Sequence, residues 1–372
     1  MFLEKEGKLI YSYDGETVCI EAWGKDALRV RATKNRSFTG RDWALEAKDA
    51  HAGEVEIFED PSAKGGAFAN MYEGTDTSYG KITNGKLHAV IDSGSVITFY
   101  HEDGRVLLKE HFRRLRDEES MPLNIMGREY SNGVGDNFRI VARFVARKGE
   151  KIFGMGQYQQ HELDLKGCML ELAQRNSQVS VPFYLSSIGY GFLWNNPGVG
   201  QVMFANNGTE WVTESGKEID YLVIAGDTPA EIEENYMTLT GKPPMMPEYG
   251  MGFWQCKLRY WNQEQLLSVA RKYKELGVPL DVIVVDFFHW TKQGEFKFDP
   301  KYWPDVPGMC RELKEMGIQV VVSVWPTVDI YSENFEEMKE KGYLVRTEHG
   351  VPLTMLCGGN EVFFDATNPD AR

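Results

Sequence analysis

The sequence predicts two domains of different class, an antiparallel β domain followed by a parallel α/β domain. Residues 1–241 contain many short, partly alternating apolar segments separated by turn dipeptides such as Asn84-Gly85, a pattern typical of an antiparallel sandwich or barrel. In residues 248–372, strand-like and helix-like segments alternate instead. The proline-rich stretch 242–247 (KPPMMP) separates the two regions and predicts a stiff linker between domains at 1–241 and 248–372.

The first domain is predicted from strand segments that end in one helix. Thr228, Pro229 and Glu231 form a capping box with proline at the first helical position, and Gly241 ends the helix. Before Thr228 no segment has the apolar spacing of a three-turn helix. The predicted strands lie at 17–23, 86–92, 95–100, 138–145 and 202–205.

The second domain is predicted to alternate three strands with three helices. Its strands lie at 250–254, 280–286 and 319–325, and its helices at 262–277, 305–317 and 334–341. This order favours a parallel α/β sheet or a (β/α)8 barrel. A complete barrel takes about 250 residues, so we expect the barrel to be incomplete and the chain to be a fragment. Asn368-Pro369 at the end has the composition of a helix start.

The charge and composition exclude several classes of function. Asp and Glu (55) outnumber Lys and Arg (41), giving a net charge of −14, and no basic run supplies the patch that nucleic-acid binders carry. No stretch has the ~18 apolar residues of a membrane span, and residues 1–6 lack the apolar core of a secretion signal. We expect no nucleic-acid or membrane partner and a cytoplasmic location. The five scattered cysteines fit a reducing compartment.

Candidate binding residues follow the predicted strands of the second domain, because ligands of parallel α/β folds contact the carboxyl ends of strands. Flat aromatic faces stack on sugar rings, and carboxylates accept hydrogen bonds from hydroxyl groups. The pattern therefore predicts a carbohydrate site. For the carboxylate, the alternative is a cap of a helix or turn just past the strand. The candidates are Trp254, Asp286, Phe287, Phe288, Trp290 and Trp325.

Other motifs favour different chemistry only weakly. His289 has no second histidine nearby and is interpreted as a loop residue, and His161-Glu162 lacks the second histidine of a zinc motif because position 165 is leucine. An α/β hydrolase or nucleotide enzyme on a small open sheet is a further alternative. Against it, the sequence contains no nucleophile elbow and no Walker loop.

Five motifs in order resemble glycoside hydrolase family 31, the retaining α-glucosidases and α-xylosidases. The motifs are 153–157 (FGMGQ), 181–191 (VPFYLSSIGYG), 252–260 (GFWQCKLRY), 278–286 (VPLDVIVVD) and 364–369 (FDATNP). The resemblance implies a galactose-mutarotase-like N-terminal β-sandwich followed by the first part of a (β/α)8 barrel. It also implies double displacement by two aspartates, both expected beyond Arg372, so that no catalytic residue is assigned within this chain. No metal or other cofactor is implied.

The resemblance also assigns roles to the candidate residues. Asp286 matches the family's carboxylate that binds sugar hydroxyls, and Trp254 and Trp325 lie at strand ends that line the same pocket. Many α-glucosidases have Asp-Ile-Asp where this chain has Asp286-Phe287-Phe288, which resembles the α-xylosidase branch. Phe288 would occupy the space that a glucose hydroxymethyl group needs.

These roles imply an α-xylosidase that acts on terminal α-xylosyl residues of oligosaccharides. The alternatives are an α-glucosidase of the same family and a non-catalytic carbohydrate-binding fragment. The oligosaccharide is the one partner that is implied, and a homo-oligomer is left open.

Overall fold

The computed structural model of the chain describes residues 1–59, 78–111, 113–115, 123–347, 349–355 and 360–372. Its contacts divide the chain into two compact units, Met1–Pro243 and Pro244–Arg372. Four of the five cysteines lie in the described residues and are free thiols, whereas Cys357 lies outside them.

The first unit is built almost entirely of strands. A 3₁₀ turn at Ala47–Asp49 and helix α1 at Pro229–Thr240 are its helical segments within the described residues. Its strands are β1 Phe2–Lys5, β2 Lys8–Tyr13, β3 Glu16–Trp23, β4 Ala27–Thr33, β5 Ala50–His51, β6 Glu54–Glu59, β7 Ser78–Asn84, β8 Leu87–Ile91, β9 Ile97–His101, β10 Val106–Lys109, β11 Arg113–Leu115, β12 Leu123–Ile125, β13 Arg128–Asn132, β14 Phe138–Phe144, β15 Ile152–Gln157, β16 Met169–Leu172, β17 Val179–Ser186, β18 Tyr190–Trp194, β19 Gly200–Phe204, β20 Thr209–Gly216 and β21 Ile219–Ala225.

These strands form three large antiparallel sheets around one core, as predicted for a sandwich. The largest has the order β1-β2-β3-β4-β21-β18-β17-β15, with β5 paired to β3. The other two have the orders β10-β9-β8-β7-β6 and β13-β14-β20-β19-β16, and β11 pairs with β12. Ile20, Phe99 and Trp211 come from the three large sheets, and all are fully buried in the same apolar cluster. Burial from several sheets at once is what gives a sandwich its core.

Strand β21 shows how the sequence codes for the centre of the largest sheet. Every residue of its segment IDYLVIA is buried, because β21 lies between β4 and β18 and is covered on both faces. Asp220 is the charged exception within it. It accepts hydrogen bonds at 3.0 and 2.6 Å from the guanidinium of Arg29, which is itself fully buried.

Helix α1 begins and ends as its sequence predicts. The Thr228 hydroxyl accepts a hydrogen bond from the Glu231 backbone nitrogen at 3.2 Å, and Pro229 occupies the first turn. The Glu231 carboxylate accepts from the Asp227 nitrogen at 3.0 Å and from Lys86 at 2.7 Å. The hydrogen bond from Lys86 lowers the pKa of Glu231 to about 2.

The second unit contains a three-stranded parallel sheet with helices between its strands. Its strand order is β22-β23-β24, with both pairs parallel, as at the start of a (β/α)8 barrel. A two-stranded antiparallel pair, β25-β26, follows. The elements are a 3₁₀ turn at Glu248–Met251, β22 Trp254–Gln255, α2 Gln263–Glu275, β23 Val282–Val285, α3 Val306–Glu315, β24 Gln319–Val322, β25 Thr327–Asp329, α4 Phe335–Glu340 and β26 Glu361–Phe363.

Three details of the second unit differ from prediction. The strand expected at 250–254 begins only at Trp254, because the residues after Pro247 form the 3₁₀ turn. On α2 the apolar spacing in the sequence predicts a buried face formed by Leu266, Val269, Ala270, Tyr273 and Leu276, but Leu276 is 63% exposed and Leu267 is buried. The burial of Leu267 follows from packing with α3 and β23 in a single cluster, which the 3.6-residue pattern does not specify. The predicted helix start at Asn368 is a turn closed by a hydrogen bond from Ala371.

We expect Asp305→Ala to lower the free energy of unfolding by about 1 kcal/mol. The Asp305 carboxylate accepts a hydrogen bond at 2.9 Å from the Gly308 nitrogen at the start of α3. Alanine leaves that nitrogen without its acceptor. Chemical denaturation followed by circular dichroism measures the loss, and Asp305→Ser, which keeps a cap, is the control. Equal losses for the two variants would contradict the capping role.

Among the described residues, no helix has both the length and the apolar character that crossing a bilayer requires.

Candidate functional site

Asp286 lies at the carboxyl edge of the parallel sheet. It is the first residue after β23 and is half-buried. The Cys256 thiol donates to its Oδ2 at 3.8 Å. Within the described part of the chain, no backbone N–H donates to the Asp286 carboxylate. The expected alternative, a cap of a turn or helix, therefore has no hydrogen bond to support it, and most of the accepting capacity of this carboxylate is free for a ligand.

Four aromatic side chains lie close together and form what we call the aromatic cluster: Phe287, Phe288, Trp290 and Trp325. The Phe287 ring centroid lies 4.0 Å from that of Phe288, 5.5 Å from Trp290 and 4.7 Å from Trp325. The structure therefore brings together residues from the loop after β23 and from the segment after β24. The separations of Phe287 from Trp290 and from Trp325 are those of favourable aromatic pairs.

A cavity of about 230 Å³ lies beside the aromatic cluster. Trp290 and Trp325 line it together with His289, Gln293 and Phe298. Gln293 is buried and donates a hydrogen bond to the Thr327 hydroxyl, which connects the loop after β23 to β25. The wall of this cavity is mainly aromatic, with few polar groups, as is common for small-molecule sites.

Phe288 is held in an unusual conformation by Arg259. Its φ angle is +63°, a left-handed value that bulky residues rarely adopt. The Arg259 guanidinium donates to the Phe288 carbonyl oxygen at 3.2 Å and lies 4.8 Å from the centroid of the Phe288 ring. The same guanidinium lies 3.9 Å from the ring of Trp261. Arg259 thus contacts Phe288 through both backbone and ring.

His289 and Cys256 have shifted pKa values with physical causes nearby. Burial lowers the pKa of His289, whose Nδ1 lies 3.3 Å from the Asp286 carbonyl oxygen. Partial burial and then the negative charge of Asp286 raise the pKa of the Cys256 thiol, so this thiol stays protonated and donates to Asp286. As predicted, His289 is a loop residue, and it packs against Trp290 and Phe298.

Trp254 does not join the other candidates. It pairs with Val282, the first residue of β23, and so lies at the amino edge of the sheet. Asp286 lies four residues beyond Val282, just past the end of β23. At the usual rise per residue this places it about 13 Å from Val282 along the strand direction. The indole nitrogen of Trp254 donates to the Gly250 carbonyl oxygen at 3.2 Å. Trp254 lies one residue before the end of β22 but level with the start of β23, and its role in binding stays a prediction.

The later start of β22 brings Cys256 and Arg259 to the site, two residues that sequence reasoning did not select. Cys256 follows β22 directly, and Arg259 lies three residues further along the chain. Their sequence signal is the segment 255–260 (QCKLRY) itself, which has the position of a strand-end loop once β22 is moved. Among the described residues, no group of three His, Cys, Asp or Glu side chains is arranged to hold a metal ion.

Two family models match the chain over most of its length. Residues 17–202 match the glycosyl hydrolase 31 N-terminal galactose mutarotase-like domain, and residues 243–372 match the glycosyl hydrolases family 31 TIM-barrel domain. The chain belongs to glycoside hydrolase family 31. The fold predicted from the five motifs, a galactose-mutarotase-like sandwich followed by the first part of a (β/α)8 barrel, is thereby confirmed.

Relatives in this family cover the whole chain. An uncharacterized family 31 glucosidase, ORF2 of Pseudescherichia vulneris, is 42% identical over 100% of the chain and 69% of its own length. Alpha-xylosidase A of Aspergillus niger is 30% identical over 96% of the chain and 48% of its own length. The solved family 31 alpha-xylosidase from a soil metagenome, complexed with xylose, is 47% identical with a TM-score of 0.89. The chain spans 54% of that protein.

Proposed function

We propose that this chain supplies the substrate-binding part of a retaining α-glycosidase that removes terminal α-xylosyl residues from oligosaccharides. The observation that carries the proposal is the Asp286 carboxylate, which has free accepting capacity and stands beside the aromatic cluster at the carboxyl edge of the parallel sheet. Family membership and the alpha-xylosidases among the relatives support it.

In this proposal Asp286 and the aromatic cluster divide the work of binding. The carboxylate accepts hydrogen bonds from two adjacent sugar hydroxyls. These hydrogen bonds are strong because the acceptor carries a negative charge. The rings of Phe287 and Trp325 cover the apolar face of the pyranose and exclude water. The chemical steps belong to two carboxylates outside this chain. One attacks the anomeric carbon while the other, ~5–5.5 Å away, protonates the leaving oxygen.

Phe288 is proposed to select xylose over glucose. Phe288 is 52% exposed and its ring lies next to that of Phe287; in this proposal a pyranose bound at Asp286 carries its C5 substituent toward this ring. Xylose has only hydrogen atoms there, whereas glucose has a hydroxymethyl group. An aromatic ring leaves that hydroxyl unpaired or in steric conflict, a difference of about 1–3 kcal/mol in sites of this kind.

The test is hydrolysis of para-nitrophenyl α-xyloside and α-glucoside by the natural-length protein. We expect kcat/KM for the xyloside to exceed that for the glucoside. A folded protein that cleaves neither would overturn the proposal. A protein that prefers the glucoside would support the second candidate, an α-glucosidase. The family 31 glucosidase of Pseudescherichia vulneris and alpha-glucosidase 2 of Bacillus thermoamyloliquefaciens, both similar to this chain, favour that candidate.

We expect Arg259→Lys to reduce the ratio of xyloside to glucoside kcat/KM roughly 3- to 10-fold. Lysine keeps the charge but loses the planar group that lies against Phe288 and Trp261, so the Phe288 ring is less firmly placed. Arg271→Lys is the matched control, since Arg271 is an exposed arginine of α2 paired with Glu312. Arg271→Lys should leave this ratio unchanged. An unchanged ratio in Arg259→Lys would contradict the role of Arg259 in positioning Phe288.

A further inference from the structure

A cleft of about 790 Å³ lies in the sandwich unit, among the loop after β4, the β13–β14 turn, the β18–β19 loop and the β20–β21 turn. We infer that this cleft is a second carbohydrate-binding site, which takes neutral sugar units and acts independently of Asp286. Its volume is in the range of small-molecule sites. The inference rests on one preorganised tryptophan, on three amide groups with free oxygens and on the charge of the lining.

Trp43 is the aromatic platform of this cleft. Its indole is 45% exposed, although tryptophan is usually well buried. Its φ angle is +53°, a left-handed conformation that is strained for a bulky residue. Strained conformations of this kind are held in place by surrounding structure and cluster at sites that clamp ligands. An exposed ring kept in a strained conformation needs a reason other than core packing.

The loop that carries Trp43 is anchored on both sides of it. Buried Arg29 donates to the Asp42 carboxylate at 2.7 Å and to the Arg41 carbonyl oxygen at 2.9 Å. Asn195, also buried, donates to the Asp42 carbonyl oxygen at 3.1 Å and accepts from the Ala44 nitrogen at 3.3 Å. The ring of Trp43 is therefore placed before any ligand arrives, which reduces the ordering cost of binding.

Three asparagines of the lining have amide groups that are held in place by hydrogen bonds to backbone carbonyls. The Nδ2 groups of Asn35, Asn137 and Asn196 donate to the backbone carbonyls of Asp136, Val134 and Asp220, at 2.9, 3.3 and 2.8 Å. Each amide thereby keeps its Oδ1 as an acceptor, and within the described part of the chain no residue donates to any of the three. Sugar hydroxyls are donors that fit such oxygens.

The charges of the lining nearly balance, since three cationic side chains (Arg36, Arg41 and Lys217) stand against two carboxylates (Asp136 and Glu218). Lys217 is paired with Asp136 at 2.7 Å, and the Glu218 carboxylate is buried and accepts from Thr39 at 2.8 and 3.0 Å. The Arg41 guanidinium lies over the Trp43 ring, 5.2 Å from its centroid. Lys217 and Glu218 already have partners, so a neutral sugar needs no new ion pair: it donates to the amide oxygens and stacks on the free face of Trp43.

The experiment is isothermal titration calorimetry with a xyloglucan heptasaccharide on the natural-length protein carrying Asp286→Asn. That background weakens the candidate site in the barrel unit. We expect binding to persist in it, and we expect adding Trp43→Ala to raise Kd roughly tenfold. Arg41→Gln, at an exposed position, is a second variant expected to raise Kd. Tyr13→Ala, which removes an exposed aromatic ring of β2 that does not line the cleft, is the control with unchanged Kd.

A structural role for Trp43 makes a different prediction. It would require Trp43→Ala to lower the melting temperature and leave Kd unchanged, whereas a binding platform predicts a raised Kd with little change in melting temperature, because the ring is exposed and alanine, like tryptophan, carries a Cβ at φ +53°. Equal Kd values with and without Trp43→Ala would overturn the inference. So would binding of an oligogalacturonate without binding of the neutral heptasaccharide. Failure of the proposed hydrolase activity leaves this readout intact, because it is measured without turnover.

Discussion

We expect replacement of Asp286 by asparagine to reduce kcat/KM for para-nitrophenyl α-xyloside by about 10³-fold or more, because the carboxylate is proposed to accept hydrogen bonds from two sugar hydroxyls. The structure supplies the physical reason. Among the residues that the structure describes, the Asp286 carboxylate accepts from one donor, the Cys256 thiol at 3.8 Å, so most of its accepting capacity is free for a sugar. Asparagine removes the negative charge and turns one acceptor into a donor, which leaves a sugar hydroxyl without its partner.

Steady-state kinetics on the natural-length protein measures this effect, with circular dichroism to establish folding. Asp281→Asn is the matched control. Asp281 lies just before the same strand, β23, and its carboxylate accepts from the Phe253 nitrogen at 3.0 Å, which is a structural role. This control should change stability and leave the ratio of xyloside to glucoside turnover alone. Full activity in Asp286→Asn would remove Asp286 from the site.

Phe288→Gly should shift the ratio of xyloside to glucoside kcat/KM toward glucose by roughly 10- to 100-fold. Glycine adopts the φ angle of +63° at this position without strain, so the loop keeps its path while the ring is removed. The space that opens beside Phe287 then accommodates a hydroxymethyl group. The change should appear mainly as a gain for the glucoside, because xylose has no substituent to fill that space.

Kinetics on the two aryl glycosides gives this ratio directly. Phe253→Ala is the control, because Phe253 is similarly exposed, at 49%, but precedes β22 at the amino edge of the sheet. Phe288→Tyr, which retains the ring, should keep most of the xylose preference. An unchanged ratio in Phe288→Gly would assign xylose selection to another part of the protein.

Local signals in the sequence predicted the elements well where the interaction that defines them is local. Thr228 is predicted as the cap of α1, and Asp305 opens the segment 305–317 that is predicted to be helical; each accepts the backbone hydrogen bond expected of a cap. Gly277 and Gly317 follow α2 and α3 with positive φ angles, as expected for residues just past a helix end. These signals depend on a few consecutive residues, so they can be read without knowledge of the fold.

Structural features that depend on partners distant in the sequence were predicted less well. The apolar run at 250–254 does not show that a 3₁₀ turn delays β22 until Trp254. That one shift moves Trp254 away from Asp286 and brings Cys256 and Arg259 toward it. Because a parallel strand is placed by its pairing with the next strand, its register is a tertiary property.

The sequence by itself determined the family, the two classes of domain and the segment Asp286-Phe287-Phe288 as the centre of the candidate site. These depend on composition, periodicity and short motifs. The tertiary structure alone decided that the Asp286 carboxylate caps nothing among the described residues, that Arg259 holds Phe288, and that Trp43 is a strained and exposed platform. The physical reason is that hydrogen-bond partners and exposure arise from segments far apart in the chain, and only folding brings those segments together.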